Sequence, residues 1–504
     1  MLTLNRIGHE VAGRSLFKNI SANLGEGVSG LVGPNGVGKT TLAKILAGEV
    51  MPTEGRVISQ GRVIILAQKA ERGGETLGEY LADVWEPPET VASLIQDLIA
   101  PLNLERRLVE LSGGEWVRAR LAKALAVGPA YLILDEPTND LDREGRDLVL
   151  RFVREAPMGL LIISHDREVL AEVDRIYELS NQGLSLYGGD FEFYEGARAH
   201  ERAGAESNLE KLKAAEKTAA REREDKIQRQ EKRQRVAAAK AEDSGIPKIL
   251  LGARKRRAQK TMSKIEVRES QNVRAAESAV DGAWGELKTD PFLRLDFEGA
   301  RVPAGKVLAA AEAFNFRFNG AQRTLWPEPL TFQISGPSRW QLSGANGTGK
   351  STLLKLLLGQ RVPGDSAGRL ELRAKDVCSL DQRYGDLNPE LSVLQNVQEN
   401  SRFAEVELRN ELAFYGFTGE QVFQKVRALS GGETLKASLA RMFLGARIPE
   451  LIVLDEPTNN LDLAGLRLLE KALRDFKGAI LLVSHDRAFA DELGITDRLE
   501  LRKA

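Results

Sequence analysis

Lys39 and Lys350 each end a glycine-spaced run and precede a hydroxyl, in Gly33-Pro34-Asn35-Gly36-Val37-Gly38-Lys39-Thr40-Thr41 and Gly344-Ala345-Asn346-Gly347-Thr348-Gly349-Lys350-Ser351-Thr352. Both runs fit GxxxxGK[ST]. Its glycines let backbone N–H groups curl around phosphates, its ammonium pairs with the β- and γ-phosphates, and its hydroxyl ligates Mg2+. After each run, in the same order, come Leu-Ser-Gly-Gly-Glu (111–115 and 429–433), an apolar stretch ending in Asp-Glu-Pro-Thr-Asn (135–139 and 455–459), and Ser-His-Asp-Arg (164–167 and 484–487). The chemistry these residues can perform is hydrolysis of a nucleoside triphosphate. One phosphate loop alone is a modest signal; four motifs in one order, repeated, make a chance match untenable.

The remaining side chains take roles around that reaction. Asp135 and Asp455, at the ends of apolar runs, are placed to hold the water shell of the metal, and Glu136 and Glu456 to act as bases on the attacking water. His165 and His485 are expected to bond the γ-phosphate and report its loss. A lone histidine is more often a satisfied core residue, but the repeated Ser-His-Asp-Arg setting argues against that here. Gln68 and Gln382 follow apolar runs and precede the signature serines by 44 and 48 residues, a repeated position suited to completing the magnesium shell. Ser112-Gly113-Gly114 and Ser430-Gly431-Gly432 combine a hydroxyl, two residues without side chains and a following helix, an anion site once brought against a γ-phosphate.

Positioning these groups requires strands and helices in alternation. Short Val-, Ile- and Leu-rich runs before the phosphate loops and the Asp-Glu pairs predict strands buried on both faces, and helices are predicted to open at each phosphate loop over residues 40–47 and 351–358. The offset between copies is 311 at the lysine, 318 at the signature serine and 320 at the histidine. The two cores are therefore nearly equal in length, and the surplus chain lies between them. This predicts one nucleotide-binding domain over residues 1–196, a linker over 197–289 and a second domain over 290–504.

The linker is rich in Ala, Glu, Lys, Arg and Gln, all strong helix formers, and Asp243-Ser-Gly-Ile-Pro247 should break it into a helical hairpin. A continuous first arm would reach roughly 70 Å. At the apex, Ile246, Ile249, Leu250 and Leu251 adjoin Arg254-Lys255-Arg256-Arg257. From residue 246 to 268 there are eight basic residues against one acidic, Glu266. A basic patch beside an apolar tip suits a structured RNA; an antiparallel coil that merely turns the chain has the same composition, and both readings stand.

A net charge of −1 excludes global attraction to nucleic acid, so any such binding is local. The single cysteine, Cys378, cannot form an intrachain disulfide, which fits a reducing compartment and reads as a small apolar residue beside a strand. Apolar runs are strand-length, far short of the ~20 residues of a membrane-spanning helix. The opening Met1-Leu-Thr-Leu-Asn-Arg lacks a signal-peptide pattern. The expectation is a cytoplasmic chain without membrane spans.

The motifs resemble those of ATP-binding cassette proteins, and their details resemble the ABC-F group. These are Arg118 to Ala122 after the first signature and Leu439-Ala440 after the second, Asp-Glu-Pro-Thr-Asn-x-Leu-Asp through Asp142 and Asp462, Tyr187-Gly-Gly-Asp-Phe-Glu-Phe-Tyr194, and the charged linker. The resemblance spans the whole chain. It implies an α/β fold of two ATP-binding cassettes joined by a long helical hairpin, with ATP and Mg2+ as cofactors. It also implies composite sites in which Ser430 covers Lys39 and Ser112 covers Lys350 within a monomer. The implied partner is the ribosome, bound at the exit-tRNA site with the apex 246–257 meeting rRNA and tRNA; some such proteins serve translation generally and others protect against antibiotics. The group often places an aromatic near each cassette's start to stack on adenine. Phe318 fills that role in the second copy, where the first has Val11. The gap after Gln68 leaves little room for the extra arm found in some relatives. The competing class is a fused double ATPase of an importer, against which stand the two intact motif sets and the long linker.

Overall fold

Tyr131-Leu-Ile-Leu-Asp135 and Gly159-Leu-Leu-Ile-Ile163 are buried at every position, as strands covered on both faces must be. The computed structural model describes residues 1–11, 13–68, 70–84, 88–242, 263, 267–283, 302–380, 387–459 and 461–503. In chain order the first cassette contains β1 (Leu2–Val11), β2 (Arg14–Leu24), β3 (Val28–Val32), β4 (Glu54–Ser59), β5 (Val63–Leu66), β6 (Tyr131–Asp135), β7 (Gly159–Ile163), β8 (Arg175–Ser180) and β9 (Gly183–Gly188). Six of these form one sheet in the order β5-β6-β7-β3-β8-β9, parallel except for the β8–β9 hairpin. β2-β1-β4 form a separate antiparallel sheet.

Alternation along β6 divides the core in two. Tyr131 and Ile133 face the antiparallel sheet, packing with Leu2, Leu4, Ile7 and Ile20 and with Leu42 and Ile45 of the helix Lys39–Leu46. Leu132 and Leu134 face the other way, onto the helices Gly113–Ala126 and Arg143–Glu155 through Leu121, Leu125, Val149 and Phe152. Each such fully buried aliphatic side chain contributes about 1.5–3 kcal/mol. The layers are thus fixed by a strand that is apolar on both faces.

The second cassette repeats the plan with β10 (Val307–Phe318), β11 (Leu330–Ser335), β12 (Arg339–Ser343), β13 (Gly364–Leu372), β14 (Val377–Leu380), β15 (Leu451–Asp455), β16 (Ala479–Val483) and β17 (Asp497–Glu500). Its parallel sheet runs β14-β15-β16-β12-β17, beside an antiparallel β11-β10-β13. Leu451 and Val453 point to one core, Ile452 and Leu454 to the other. The predicted phosphate-loop helices are present as Lys39–Leu46 and Lys350–Leu357.

The chain divides into two compact units, Met1–Tyr194 with Phe292–Ala504, and Glu195–Pro291. Both cassettes lie in the first, where Leu463 packs with Val32, Leu170, Val173 and Phe191. In the second, residues 195–242 of the helix Phe191–Glu242 and helical residues 267–283 run antiparallel: Leu209 buries against Val280 and Ala283, and Lys226 pairs with Glu269 at 3.1 Å. The break at 243–247 and the apex 246–257 lie outside the described residues.

Candidate active sites

The strand order places the motifs together. β6, β7 and β3 are neighbours and parallel, so the loops leaving their C-terminal ends converge on one edge of the sheet; they carry Asp135-Glu136, Ser164-His165 and the phosphate loop. β15, β16 and β12 do the same for Asp455-Glu456, Ser484-His485 and Lys350.

Each phosphate loop turns through left-handed glycines, and a Cβ at Gly33 would lie 2.2 Å from the Leu179 carbonyl oxygen, which only glycine avoids. Gly38 and Gly349 cap the following helices without a side-chain acceptor, leaving helix N–H groups directed at the cleft, an arrangement that fits phosphate. Lys39 Nζ donates to the carbonyls of Gly33 and Pro34 at 2.7 and 3.2 Å, and Lys350 Nζ to those of Gly344 and Ala345 at the same distances. Burial lowers the pKa of both ammonium groups, while Glu136 beside Lys39 and Glu456 beside Lys350 oppose the shift.

Thr40 donates its hydroxyl proton to Asp135 Oδ2 at 2.8 Å, joining two of the expected magnesium groups. Glu136 and Glu456 both adopt a left-handed backbone, φ 49°, and donate their N–H groups to Ile163 and Val483 carbonyls at 2.8 Å. Non-glycine residues held there store strain of about 1–3 kcal/mol, a cost concentrated at functional sites. Burial pushes the Glu136 carboxyl well above its usual range, with Lys39 pulling it back, and pushes Glu456 up to about 7. His165 Nε2 stands 3.7 Å from Glu136 and His485 Nε2 3.5 Å from Glu456. Burial, then the neighbouring lysine, holds His165 well below its ordinary pKa and His485 down at about 4, so both imidazoles are neutral at pH 7. Gln68 lines the first cleft; Gln382 lies outside the described residues.

The first cleft, about 490 Å³, is completed from the other cassette by Thr458, Asn459, Leu461, Leu466 and Asp486, and the second, about 710 Å³, by Asp140, Leu141 and Arg146. Asp462 Oδ2 accepts from Asn35 N at 3.1 Å, and Asn346 Nδ2 donates to the Asp140 carbonyl at 3.1 Å. The signature serines do not line either of these clefts. Each instead starts its own helix: Ser112 Oγ accepts from Glu115 N at 3.2 Å while Glu115 accepts from Ser112 N at 2.7 Å, and Ser430 with Glu433 does likewise at 3.4 and 2.8 Å. The glutamate of Leu-Ser-Gly-Gly-Glu is thus half of a capping box, legible as S-x-x-E.

Phe318 and Leu325 border the second cleft, and Val11 and Leu16 the first. With no aromatic ring at the Val11 position, adenine discrimination at the first site is expected to be weaker by roughly 1 kcal/mol. GTP competition at each site, isolated by substituting the other lysine, tests this; equal discrimination would mean that another residue covers the base.

The geometry defines a pair of nucleotide-hydrolysing cassettes, and comparison with known proteins agrees. The sequence pattern of the ABC transporter family matches residues 17–139 and 328–459. The chain belongs to the ATP-binding cassette family and, within it, to the ABC-F group of twin-cassette ATPases. It is 30% identical to the ATP-binding protein Uup of Escherichia coli K12, over 92% of this chain and 74% of Uup. It is 27% identical to the ribosome protection protein VmlR of Bacillus subtilis 168, over 98% and 85%. Among solved structures, the RNase-L Inhibitor superposes with a TM-score of 0.59 at 20% identity, covering 99% of this chain and 90% of that one, a likeness of fold. The protein hydrolyses ATP.

Proposed function

We propose that this ATPase acts on the ribosome: ATP closes the cassettes, the closed monomer binds at the exit-tRNA site, and hydrolysis releases it, modulating translation or protecting the ribosome from an antibiotic. The observation that supports this best is the presence, on one chain, of two full sets of nucleotide-hydrolysis motifs and a charged antiparallel helical arm, in a sequence similar over nearly its whole length to a ribosome protection protein.

In each site the water oxygen bonds the γ-phosphorus as the bridge to ADP breaks, and Glu136 or Glu456 takes the proton. Lys39 and Lys350, with the loop N–H groups, hold the phosphates. Thr40, Gln68 and Asp135 in one site, and Ser351, Gln382 and Asp455 in the other, would hold Mg2+, whose chemistry is to offset phosphate charge. His165 and His485, being neutral, can donate from one ring nitrogen to the γ-phosphate. Closure brings Ser430-Gly431-Gly432 over Lys39 and Ser112-Gly113-Gly114 over Lys350.

The apex supplies the test. Changing Ile246, Ile249, Leu250 and Leu251 to Ala is expected to leave basal ATPase intact and abolish the cellular effect. Neutralising Arg254, Lys255, Arg256 and Arg257 should weaken co-sedimentation with ribosomes and flatten its salt dependence by roughly 0.7–0.9 in log–log slope per lost phosphate contact. Unchanged binding and translation in both variants would make the hairpin a spacer, and pelleting with membranes instead would favour an importer ATPase.

A further inference from the structure

The two sites differ in what crosses from the opposite cassette. At an offset of 320 residues, Asp142 matches Asp462 and Gly145 matches Gly465, but Arg146 matches Leu466. Leu466 reaches the cleft of Lys39, and Arg146 reaches the cleft of Lys350. Arg146 is nearly buried, 11% exposed in its side chain. Its Nη1 lies 3.4 Å from the His485 carbonyl oxygen, to which it donates, and 3.2 Å from Asp166 Oδ2 on its own cassette, while its buried Nε has no hydrogen-bond partner. His485 in turn has Nε2 3.3 Å from Lys350 Nζ and 3.5 Å from Glu456. The Arg146 guanidinium therefore lies against the backbone of His485 at the border of the second cleft, beside the groups expected to surround its γ-phosphate.

We propose that Arg146 is a γ-phosphate contact supplied in trans to the Lys350 site alone, making that site the one that discriminates ATP from ADP and turns over faster. A guanidinium in a water-poor cleft favours the triphosphate and the charge spreading over its γ-oxygens during transfer; Leu466 offers the Lys39 site nothing comparable. Arg146 also borders the first cleft, but there its charge is opposed by Asp166. Loss of γ-phosphate at the second site would strengthen the pull of Asp166 on the same guanidinium, passing the event to the first.

The inference rests on ATP turnover at both sites and is tested with one site live at a time. In a Lys39→Ala chain, Arg146→Leu is expected to lower kcat at least tenfold. It should also cut the preference for a non-hydrolysable ATP analogue over ADP about tenfold, read by displacement of a fluorescent nucleotide, with ADP affinity within twofold and Arg146→Lys retaining part of the preference. In a Lys350→Ala chain, Arg146→Leu should cut the triphosphate preference far less than it does at the second site, whereas Leu466→Arg should raise that preference. Equal losses at both sites would reduce Arg146 to a structural residue, and an unchanged preference at the second site would overturn the proposal. Leu466→Arg keeps the proposal testable should Arg146→Leu fold poorly; no gain from it would count against the trans contact. Absence of turnover in both single-lysine chains, with Arg146 native, would instead count against the reading of the sites.

Discussion

Replacing Glu136 and Glu456 together with Gln is expected to leave ATP bound and to reduce turnover by on the order of 10²–10⁴-fold, because the amide keeps the shape of the carboxyl and loses its basicity. The cassettes then stay closed, the variant accumulates on ribosomes in the presence of ATP, and its expression slows growth. A second readout follows from burial. Glu456 holds its proton up to about pH 7 in the folded chain, against an ordinary carboxyl value of 4.5, so the folded state loses stability relative to the unfolded as pH rises between those values. Glutamine carries no such cost. The double variant should therefore unfold at a higher temperature than the parent at pH 8, with the difference shrinking towards pH 5. Near-normal hydrolysis would show that the base is misassigned, and a pH-independent difference in melting would show that burial of charge is not what shifts Glu456.

Much of this site was legible in sequence because its parts are local. A phosphate loop needs glycine at fixed spacing and opens a helix, and a strand buried on both faces is apolar throughout; both leave continuous signatures, which is why the helices Lys39–Leu46 and Lys350–Leu357 fall within a residue of expectation. The left-handed Glu136 and Glu456 left no such mark, since nothing in Asp-Glu-Pro-Thr-Asn announces a positive φ. The antiparallel β2-β1-β4 sheet was also hidden. β1 is interrupted by register shifts near Ile7 and His9, which break the alternation that would reveal a half-buried strand. Contacts between cassettes depend on which residue the other half presents, and no local pattern marks Arg146 as one that reaches the opposite cleft.

The same asymmetry predicts a large effect away from the nucleotides. Arg167 of one cassette and Glu470 of the other form a two-pronged pair at 2.8 and 2.9 Å, with side chains only 15% and 7% exposed. Burial raises the Glu470 carboxyl above its ordinary range, and Arg167 draws it back. The 320-residue offset puts Arg487 and Leu150 at the equivalent positions, so a pair of this kind cannot form there. Removing one member of a buried pair strands the other, at about 3–5 kcal/mol, whereas replacing both with apolar residues of similar size is often neutral or stabilising. Arg167→Met is therefore expected to lower the melting temperature by several degrees, and to do so more at pH 8 than at pH 5, where the stranded Glu470 can take up a proton. Adding Glu470→Leu, which copies Leu150, should restore most of the loss. Calorimetry of the two single variants and the double completes the cycle. If Arg167→Met melts like the parent, or if the double variant is no better than the single, the pair contributes only contact area to the junction. If the cycle closes as expected, the pair's value lies in fixing the register of one cassette against the other, and the double variant should then melt normally while hydrolysing ATP more slowly.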